Sequence, residues 1–325
     1  MASATTNGRA IIATTILLTL AVMVLPARTA RAGAAATPCV SPITACGCTI
    51  TQPGFYTLAN DLDASQGLTA KGACIDIKAS KVTLNTGQPG HQRNNGFNIT
   101  GPGGATPAGI GIHVLKGSNN NLLELLTALS GWDVGLKIEG DNNIAEDFEA
   151  GKFNAMSGNG TAGVEIAGGK NNNLNDFSAD HNQNYGVWVH GGAKNNQFNC
   201  ANSRFNGGVG VFVGCAADGS VGNNCTPKGV PSNGNKLYDY SSFKNAGKGV
   251  VIDVGNTGTL VANVSANLNG GTDLDDENPN CSGNLWFLNI FDTSSQNCID
   301  ARTPPGIGSM AKAQTRQCRR SAPPA

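Results

Sequence analysis

A set of polar and aromatic side chains recurs at near-regular spacing through the middle of the chain, and these residue types could carry chemistry. The set consists of His113, Lys137, Glu139, Glu165, Tyr185, Trp188, His190 and Phe212. Histidine, lysine and tyrosine can move protons in a reaction, so His190 or Lys137 could serve as a general base and Tyr185 as a general acid. The flat apolar rings of Trp188 and Phe212 could stack against a ring-shaped ligand.

The elements that position these residues form a sequence repeat. A glycine, a branched apolar residue, a variable residue and a second branched apolar residue occur in this order from Gly111, Gly135, Gly163, Gly186, Gly210 and Gly249. Successive glycines are 24, 28, 23, 24 and 39 residues apart. Apolar residues that alternate with variable ones are typical of a β-strand with one buried face. The repeat therefore predicts one strand per period, with the variable residue pointing to solvent.

Asparagines mark the turns between these predicted strands. One group follows each strand and comprises Asn119, Asn120, Asn121, Asn142, Asn143, Asn171, Asn172, Asn173, Asn195 and Asn196. A second group precedes the next glycine and comprises Asn154, Asn182, Asn206, Asn245 and Asn269. Asparagine tolerates left-handed backbone, and its amide can bond to identical amides above and below, so we expect stacked asparagine ladders. Because a unit this short cannot bury its apolar face alone, the repeats must stack into a coil.

The chain resembles the right-handed parallel β-helix repeat proteins of the pectate-lyase-like superfold. The six repeats carry the resemblance, together with an opening in which residues 52–58 lead into residues 75–77, and then into residues 80–84 and 97–104. The resemblance covers residues 54–299, most of the chain after its first segment. It implies an all-β fold, a single-domain solenoid in the form of a right-handed parallel β-helix over residues 54–300. Residues 33–53 then form an N-terminal segment that contains cysteines.

In pectate-lyase-like enzymes the polysaccharide lies on the outer face of the sheet that these repeats form. Stacking the outward positions predicts one column, which comprises His113, Lys137 with Glu139, Glu165, Trp188 with His190, Phe212, and Val251 with Asp253. The resemblance therefore implies a polysaccharide as the partner. Its binding residues are then Trp188, Phe212, Glu139, Glu165 and His113.

The stretch from Tyr185 to His190 resembles the Y-G-F-D-P-H motif of mannuronan C5-epimerases at its tyrosine, glycine and histidine. The aspartate of that motif is Trp188 here. On a uronate polymer, a base must remove the sugar C5 proton and an acid must act on the leaving oxygen or the opposite face. The resemblance implies a lyase or an epimerase, with His190 or Lys137 as base and Tyr185 as acid. The alternative is a non-catalytic surface, adhesion or structural solenoid.

The N-terminal segment has the features of a secretory signal peptide. Arg9 precedes an uncharged, mostly apolar run at residues 11–25, and a small-residue cleavage site ends at Ala32. Such a run is too short to span a bilayer, so we expect cleavage of residues 1–32 and a secreted or periplasmic protein with no membrane span.

All ten cysteines follow this segment, and an even set in an exported chain predicts disulfides. Cys281 with Cys298, and Cys215 with Cys225, are candidate local pairs. We expect Cys46 to pair elsewhere than with Cys48.

The sharpest acidic cluster consists of Asp273, Asp275, Asp276 and Glu277. Calcium takes about six to eight oxygen ligands from such loops, so the cluster could hold a calcium ion. It lacks the D-x-D-x-D-G pattern of calcium loops, and a solvated loop is the alternative. No other cofactor is expected.

The charge balance limits the classes of partner. The chain of 325 residues has 22 Lys and Arg against 22 Asp and Glu, and only 14% of its residues are charged. A neutral chain lacks the broad cationic surface that nucleic-acid binding requires. We therefore expect no nucleic-acid partner. The partner that the resemblance implies is a polysaccharide, and we expect the protein to be a monomer. Residues 301–325 are basic and contain proline, which predicts a disordered tail.

Overall fold

The computed structural model describes residues 37–64, 72–87, 96–104, 107–124, 128–146, 158–214 and 229–299. Within these ranges the regular structure is nearly all β-strand, and the only helix is a three-residue 3₁₀ turn at Pro279–Cys281. All described residues belong to one compact unit. No helix among them is long and apolar enough to cross a lipid bilayer.

The strands form four sheets, which we number 1 to 4. Sheet 1 consists of β1 (Thr37–Pro38), β2 (Cys48–Ile50), β5 (Ala73–Ile77), β8 (Ile110–Val114), β11 (Val134–Ile138), β13 (Ala162–Ala167), β15 (Tyr185–His190), β18 (Val211–Val213), β21 (Val250–Ile252) and β24 (Leu274–Asp276). Sheet 2 consists of β3 (Gly54–Thr57), β6 (Val82–Asn85), β9 (Leu122–Glu124), β12 (Ile144–Glu146), β14 (Asn173–Asn175), β16 (Gln197–Asn199), β19 (Lys236–Tyr238), β22 (Leu260–Ala262) and β25 (Leu285–Phe287). Sheet 3 consists of β4 (Leu62–Asp63), β7 (Ile99–Thr100) and β10 (Leu129–Ser130). Sheet 4 consists of β17 (Asn202–Arg204), β20 (Ser241–Phe243), β23 (Ser265–Asn267) and β26 (Ile290–Phe291).

Within every sheet, neighbouring strands are parallel and follow one another in chain order. The chain therefore passes from sheet 1 to sheet 2, then to sheet 3 or 4, and returns to sheet 1 one rung further along. This arrangement is a parallel β-helix, so the predicted all-β solenoid is confirmed, while its right-handedness stays a prediction. Sheet 1 begins with β1 and β2, ahead of the predicted start of the solenoid at residue 54. The predicted signal peptide and basic tail lie outside the described residues.

The branched residues of the repeat point into the coil. They are Ile112, Val114, Leu136, Ile138, Val164, Ile166, Val187, Val189, Val211, Val213, Val250 and Ile252, and all are buried. Strand pairing aligns them rung by rung, as for Leu136 with Val164 and Ile138 with Ile166. The interior of sheet 1 is thus two continuous columns of aliphatic side chains, as the alternation in the sequence predicts.

The stacked asparagines form two buried ladders. In the first, each amide donates to Oδ1 of the next at 2.9–3.0 Å, through Asn121, Asn143, Asn172, Asn196 and Asn235. The second ladder, at 2.9–3.0 Å, consists of Asn159, Asn182, Asn206, Asn245 and Asn269. Oδ1 atoms of both ladders also accept hydrogen bonds from the backbone N–H of the preceding rung. The ladders therefore pair turn backbone that would otherwise be buried without partners. Asn154, predicted as a rung, lies outside the described residues.

The repeat requires glycine because the second ladder lies directly against it. A Cβ atom on Gly210 would lie 2.6 Å from Nδ2 of Asn245 and 2.6 Å from the carbonyl oxygen of Gly249. On Gly186 it would lie 2.8 Å from Nδ2 of Asn206. Any larger residue at these positions would displace either the ladder or the next strand.

Disulfides close both ends of the described coil. Cys39 pairs with Cys48 and Cys46 with Cys74 at the N-terminal end. Cys281 pairs with Cys298 at the C-terminal end, as predicted. Cys200 is also disulfide-bonded, and no described cysteine is free. The predicted pair of Cys215 and Cys225 lies outside the described residues, as does Cys318.

Candidate functional site

Strand pairing places outward residues of sheet 1 in one column along the coil. From rung to rung the column consists of Asp76, His113, Lys137, Glu165, Trp188, Phe212, Val251 and Asp275. His190 lies two residues after Trp188, beside Ala167 of the neighbouring strand. Because adjacent rungs are only about 4.8 Å apart, side chains of this column touch their neighbours. Asp76 and Asp275 extend it beyond the residues predicted from the sequence.

A buried carboxylate organises the centre of this face. The Glu165 side chain on β13 is only 5% exposed, and its Oε1 lies 2.9 Å from Nζ of Lys137 on β11. The same oxygen lies 2.9 Å from Nε2 of His190 on β15. An ionised carboxylate can only accept hydrogen bonds, so the second contact requires the proton of His190 on Nε2.

Glu165 is ionised at neutral pH. Burial alone raises the pKa of its carboxyl group, but the hydrogen bond from His190 and the charge of Lys137 outweigh burial and hold the pKa below its ordinary value of 4.5. The carboxylate therefore fixes two donors that remain partly open to solvent, since Lys137 is 21% exposed and His190 18%.

A second charged group lies nearer the N-terminal end. Nδ1 of His113 is 3.2 Å from Oδ1 of Asp76, and Nε2 is 3.0 Å from Oε2 of Glu139. Burial alone lowers the pKa of His113, but the hydrogen bonds and charges of both carboxylates outweigh it and raise the pKa above 6.5. His113 therefore bridges two carboxylates, and neither ring nitrogen is left without a partner.

The aromatic residues of this face form a stack that is mostly buried. Trp188 stacks on His190 with ring centroids 3.9 Å apart, and Tyr185 lies 5.3 Å from Trp188 and 5.6 Å from Phe212. Tyr185 and Phe212 are fully buried in an apolar cluster with Val251, and Trp188 packs against that cluster while only partly buried.

This packing corrects two predictions. The expected platform of Trp188 and Phe212 is reduced to Trp188, because Phe212 has no exposed surface. Tyr185 cannot reach a substrate as a general acid, because it is buried, and burial also raises the pKa of its hydroxyl group. The physical reason is that large outward side chains on neighbouring rungs, about 4.8 Å apart, cover one another.

The acidic residues near the C-terminal end make internal contacts. Oδ2 of Asp273 accepts hydrogen bonds from the backbone N–H of Asp292 and from the N–H and hydroxyl of Thr293, at 3.0–3.2 Å. Oδ2 of Asp276 accepts a hydrogen bond of 2.8 Å from the indole N–H of Trp286. These two carboxylates therefore hold neighbouring turns together.

The other two acidic residues of this cluster pair with a lysine. Nζ of Lys248 contacts Oδ2 of Asp275 and lies 3.0 Å from Oε1 of Glu277. No group of three or more His, Cys, Asp or Glu side chains in the described ranges could hold a metal ion. The predicted calcium ligands thus have different partners instead of converging on one cation, and the Lys248 ammonium would repel a cation.

Sequence reasoning missed Asp76 and Lys248. Asp76 lies between Ile75 and Ile77, so the alternation was a usable signal, but no glycine begins that strand at the position of the repeat. Lys248 precedes the strand β21, and only the register of the coil brings its side chain to the carboxylates of the next rung.

No protein-family model and no curated protein sequence matches this chain. Among solved structures, the Dettilon tailspike protein matches with a TM-score of 0.50 and 10% identity, over 79% of this chain and 54% of that chain. Tailspike protein 2 of Escherichia coli O157:H7 bacteriophage CAB120 matches with a TM-score of 0.41 and 13% identity, over 78% of this chain and 38% of that chain. The A-module of the Azotobacter vinelandii mannuronan C-5 epimerase matches with a TM-score of 0.20 and 10% identity, over 77% and 72%.

The strand topology and the likeness to the Dettilon tailspike define the class of this protein as a parallel β-helix solenoid. The match covers 54% of the tailspike chain, so this protein spans about half of the tailspike's length. At 10% identity the likeness shows the fold alone. Function must therefore be argued from the side chains of the site.

Proposed function

We propose that this protein is exported and binds a polysaccharide along the outer face of sheet 1, centred on Trp188. The observation that carries the proposal is the group formed by Glu165, Lys137 and His190 beside Trp188. It combines hydrogen-bond donors fixed in position with an aromatic ring that is partly open to solvent. A sugar offers the matching chemistry, with hydroxyl groups around its edge and apolar C–H groups on its faces.

The face suits an extended polymer. Outward side chains recur at each rung, about every 4.8 Å, so a polymer lying along the coil meets a new side chain at each step. Carboxylates outnumber lysines here, and Glu165 and Asp275 already neutralise Lys137 and Lys248. Binding on this face therefore depends on hydrogen bonds and stacking, and not on attraction between net charges.

Export is supported by the cysteines and by the sequence of residues 1–32. Disulfides such as Cys39–Cys48 and Cys281–Cys298 persist in oxidising compartments outside the cytosol. Mass spectrometry of the protein recovered from periplasm and medium tests this half of the proposal. An intact N-terminus, or recovery from the cytosol alone, would contradict it.

A second candidate function is proton chemistry at C5 of a uronate polymer, by a lyase or an epimerase. The contact between His190 and Glu165 favours it, because a carboxylate that accepts from Nε2 orients the ring, so that Nδ1 is the nitrogen that accepts a proton in the neutral imidazole. Since Tyr185 is buried, Lys137 is the remaining group of the predicted set that could donate a proton.

Affinity electrophoresis in gels that contain alginate, polygalacturonate, hyaluronan or dextran tests binding. Trp188→Ala should weaken retention by about 1–3 kcal/mol, because a stacked sugar loses its largest apolar contact. Val187→Ala is the matched control, because this neighbouring side chain points into the core. It should lower the melting temperature and leave retention unchanged in the folded protein.

The same polymers test for chemistry. Absorbance of an unsaturated product detects a lyase, and proton NMR of alginate detects an epimerase; His190→Ala should abolish either signal. If wild-type protein is retained by none of these polymers, or if folded Trp188→Ala is retained as strongly as wild type, polysaccharide binding on sheet 1 is wrong. The structural solenoid is then the remaining interpretation.

A further inference from the structure

A second surface, at the turn after sheet 4, presents side chains that the proposed site does not use. Pairing of the preceding residues aligns His181, Phe205, Lys244 and Leu268 in one column, one residue per rung. We call this set the Phe205 column. All four residues are exposed, with Phe205 at 43% and Leu268 at 61%.

The backbone of this column is left-handed, with φ of 57°, 57°, 53° and 56° from His181 to Leu268. Two other left-handed columns run along the coil, and they are mostly asparagine and aspartate. The first contains Lys81, Asn120, Asn142, Asn171 and Asn195, and the second contains Asp176, Cys200, Asp239, Asn263 and Leu288. Left-handed backbone suits asparagine and aspartate and disfavours bulky side chains. The Phe205 column therefore carries large side chains where local stability favours small polar ones, a pattern typical of binding surfaces.

The ring of Phe205 is held in place by its neighbours. It stacks on His181 with centroids 4.9 Å apart and an interplanar angle of 20°. Phe243 meets it edge-on at 6.3 Å. Nζ of Lys244 lies 5.1 Å from the centroid of Phe243 and 5.9 Å from that of Phe205. Lys244 forms no ion pair with any described residue.

A guanidinium group is fixed beside this ring. Oδ2 of the buried Asp180 accepts hydrogen bonds from Nε and Nη2 of Arg204, at 3.0 and 2.7 Å. The Arg204 side chain remains 43% exposed. Arginine in this state can still offer N–H donors to a second carboxylate.

We infer that the Phe205 column is a second binding site, which takes an acidic sugar unit of a polysaccharide. The apolar C–H groups of the sugar pack against the exposed part of the Phe205 side chain, and the sugar carboxylate binds Lys244 and Arg204. The ligand class rests on the proposed function, but the residues lie at the turn after sheet 4 and not on sheet 1. Unlike the face of sheet 1, this surface has a cation without a carboxylate partner in the described structure, which favours an anionic ligand.

A protein partner fits this surface less well. Specific protein interfaces bury about 800 Å² on each partner. In the Phe205 column, the apolar residues Phe205 and Leu268 are separated by the charged Lys244. We therefore make self-association an outcome of the test.

Phe205→Asn is the decisive variant, because it removes the ring and suits the left-handed backbone, so that the fold is retained or stabilised. It should weaken retention in alginate and polygalacturonate gels by about threefold to tenfold, the factor that corresponds to loss of one aromatic contact. Leu288→Asn is the matched control, because Leu288 also has left-handed backbone, with φ of 56°, at a different turn. Its retention should equal that of wild type.

Lys244→Gln should weaken retention by the acidic polymers and not by dextran, and added salt should reduce the difference, since screening weakens the attraction of an exposed charge. If Phe205→Asn is retained as wild type while Trp188→Ala is not, the second site is wrong and the proposed function stands. The opposite result leaves the second site and removes the site on sheet 1. If sedimentation shows a wild-type dimer that Phe205→Asn converts to a monomer, the surface is a self-association site and the sugar assignment is overturned.

Discussion

Glu165→Gln separates the charge of the central carboxylate from its shape. In the wild type, Oε1 of Glu165 lies 2.9 Å from both Nζ of Lys137 and Nε2 of His190. A buried hydrogen bond to a charged group contributes about 1.5–3 kcal/mol, and exposure of the partners reduces this toward about 1 kcal/mol. The two contacts together thus contribute about 2 kcal/mol. Because glutamine keeps one neutral acceptor in the same place, we expect a loss of about 1 kcal/mol in the free energy of unfolding near pH 7.

The size of this loss should depend on pH in one direction. The pKa of Glu165 is lower in the folded protein than its ordinary value of 4.5. A carboxyl group whose pKa falls on folding adds stability above its unfolded pKa, and that stability is lost as the pH falls through the folded pKa. The difference between wild type and Glu165→Gln should therefore be full near pH 7 and close progressively below about pH 4.5.

Urea unfolding, followed by circular dichroism near pH 7 and near pH 3.5, measures this difference. Lys137→Met is the matched control, because it removes one partner and leaves the contact between His190 and Glu165. A difference of the same size at both pH values would refute Glu165 as an ionised anchor. So would a glutamine variant that is more stable than wild type near neutral pH.

Three further predictions concern the ladder, the repeat glycine and His113. Asn206→Ala removes a buried rung that donates to Asn245, so it should lower the free energy of unfolding in urea by about 3–5 kcal/mol. The exposed Asn195→Ala should lower it by only about 1 kcal/mol, and equal losses for the two variants would contradict the ladder. Gly210→Ala places a Cβ 2.6 Å from Nδ2 of Asn245, and calorimetry should show a melting temperature lower by about 5 °C or more; an unchanged value would contradict the close packing. The pKa of His113 is raised on folding, so its contribution to the free energy of unfolding should be full below about pH 6.5 and fade as the pH rises through the folded pKa. If the wild type instead became more stable relative to His113→Gln as the pH rises, this prediction would be wrong.

The rungs of sheet 1 could be predicted because their constraints are local. Val187 must fill the interior of the coil, and Gly186 must leave room for the asparagine ladder, so the residue type at each position indicates its place in the rung. The near-regular spacing of the asparagines does not predict the rungs Asn159 and Asn235. Asn235 follows the previous rung by 39 residues, whereas Asn196 follows its own previous rung by 24.

The candidate site could be predicted only as far as its outward column. Whether an outward side chain is exposed depends on residues of the neighbouring rungs, and Phe212 is covered in a cluster that includes Tyr185 and Val251. The Phe205 column had no sequence signal, because left-handed turn positions are recognised from asparagine or aspartate and this column has neither.

Stacking in register imposes a rule on the outward column that bears on its function. Equivalent residues of neighbouring rungs lie about 4.8 Å apart, so like charges there repel and opposite charges attract. Lys137 and Glu165 satisfy this rule, and their contact stabilises the coil whether or not a ligand binds. The charges alone therefore do not argue for a binding site. Their position beside Trp188 supports the proposed site, because Trp188 is only partly buried, one rung away from Phe212, which is fully buried. Stability measured for Glu165→Gln consequently tests the electrostatics of the face, while retention of Trp188→Ala tests its function.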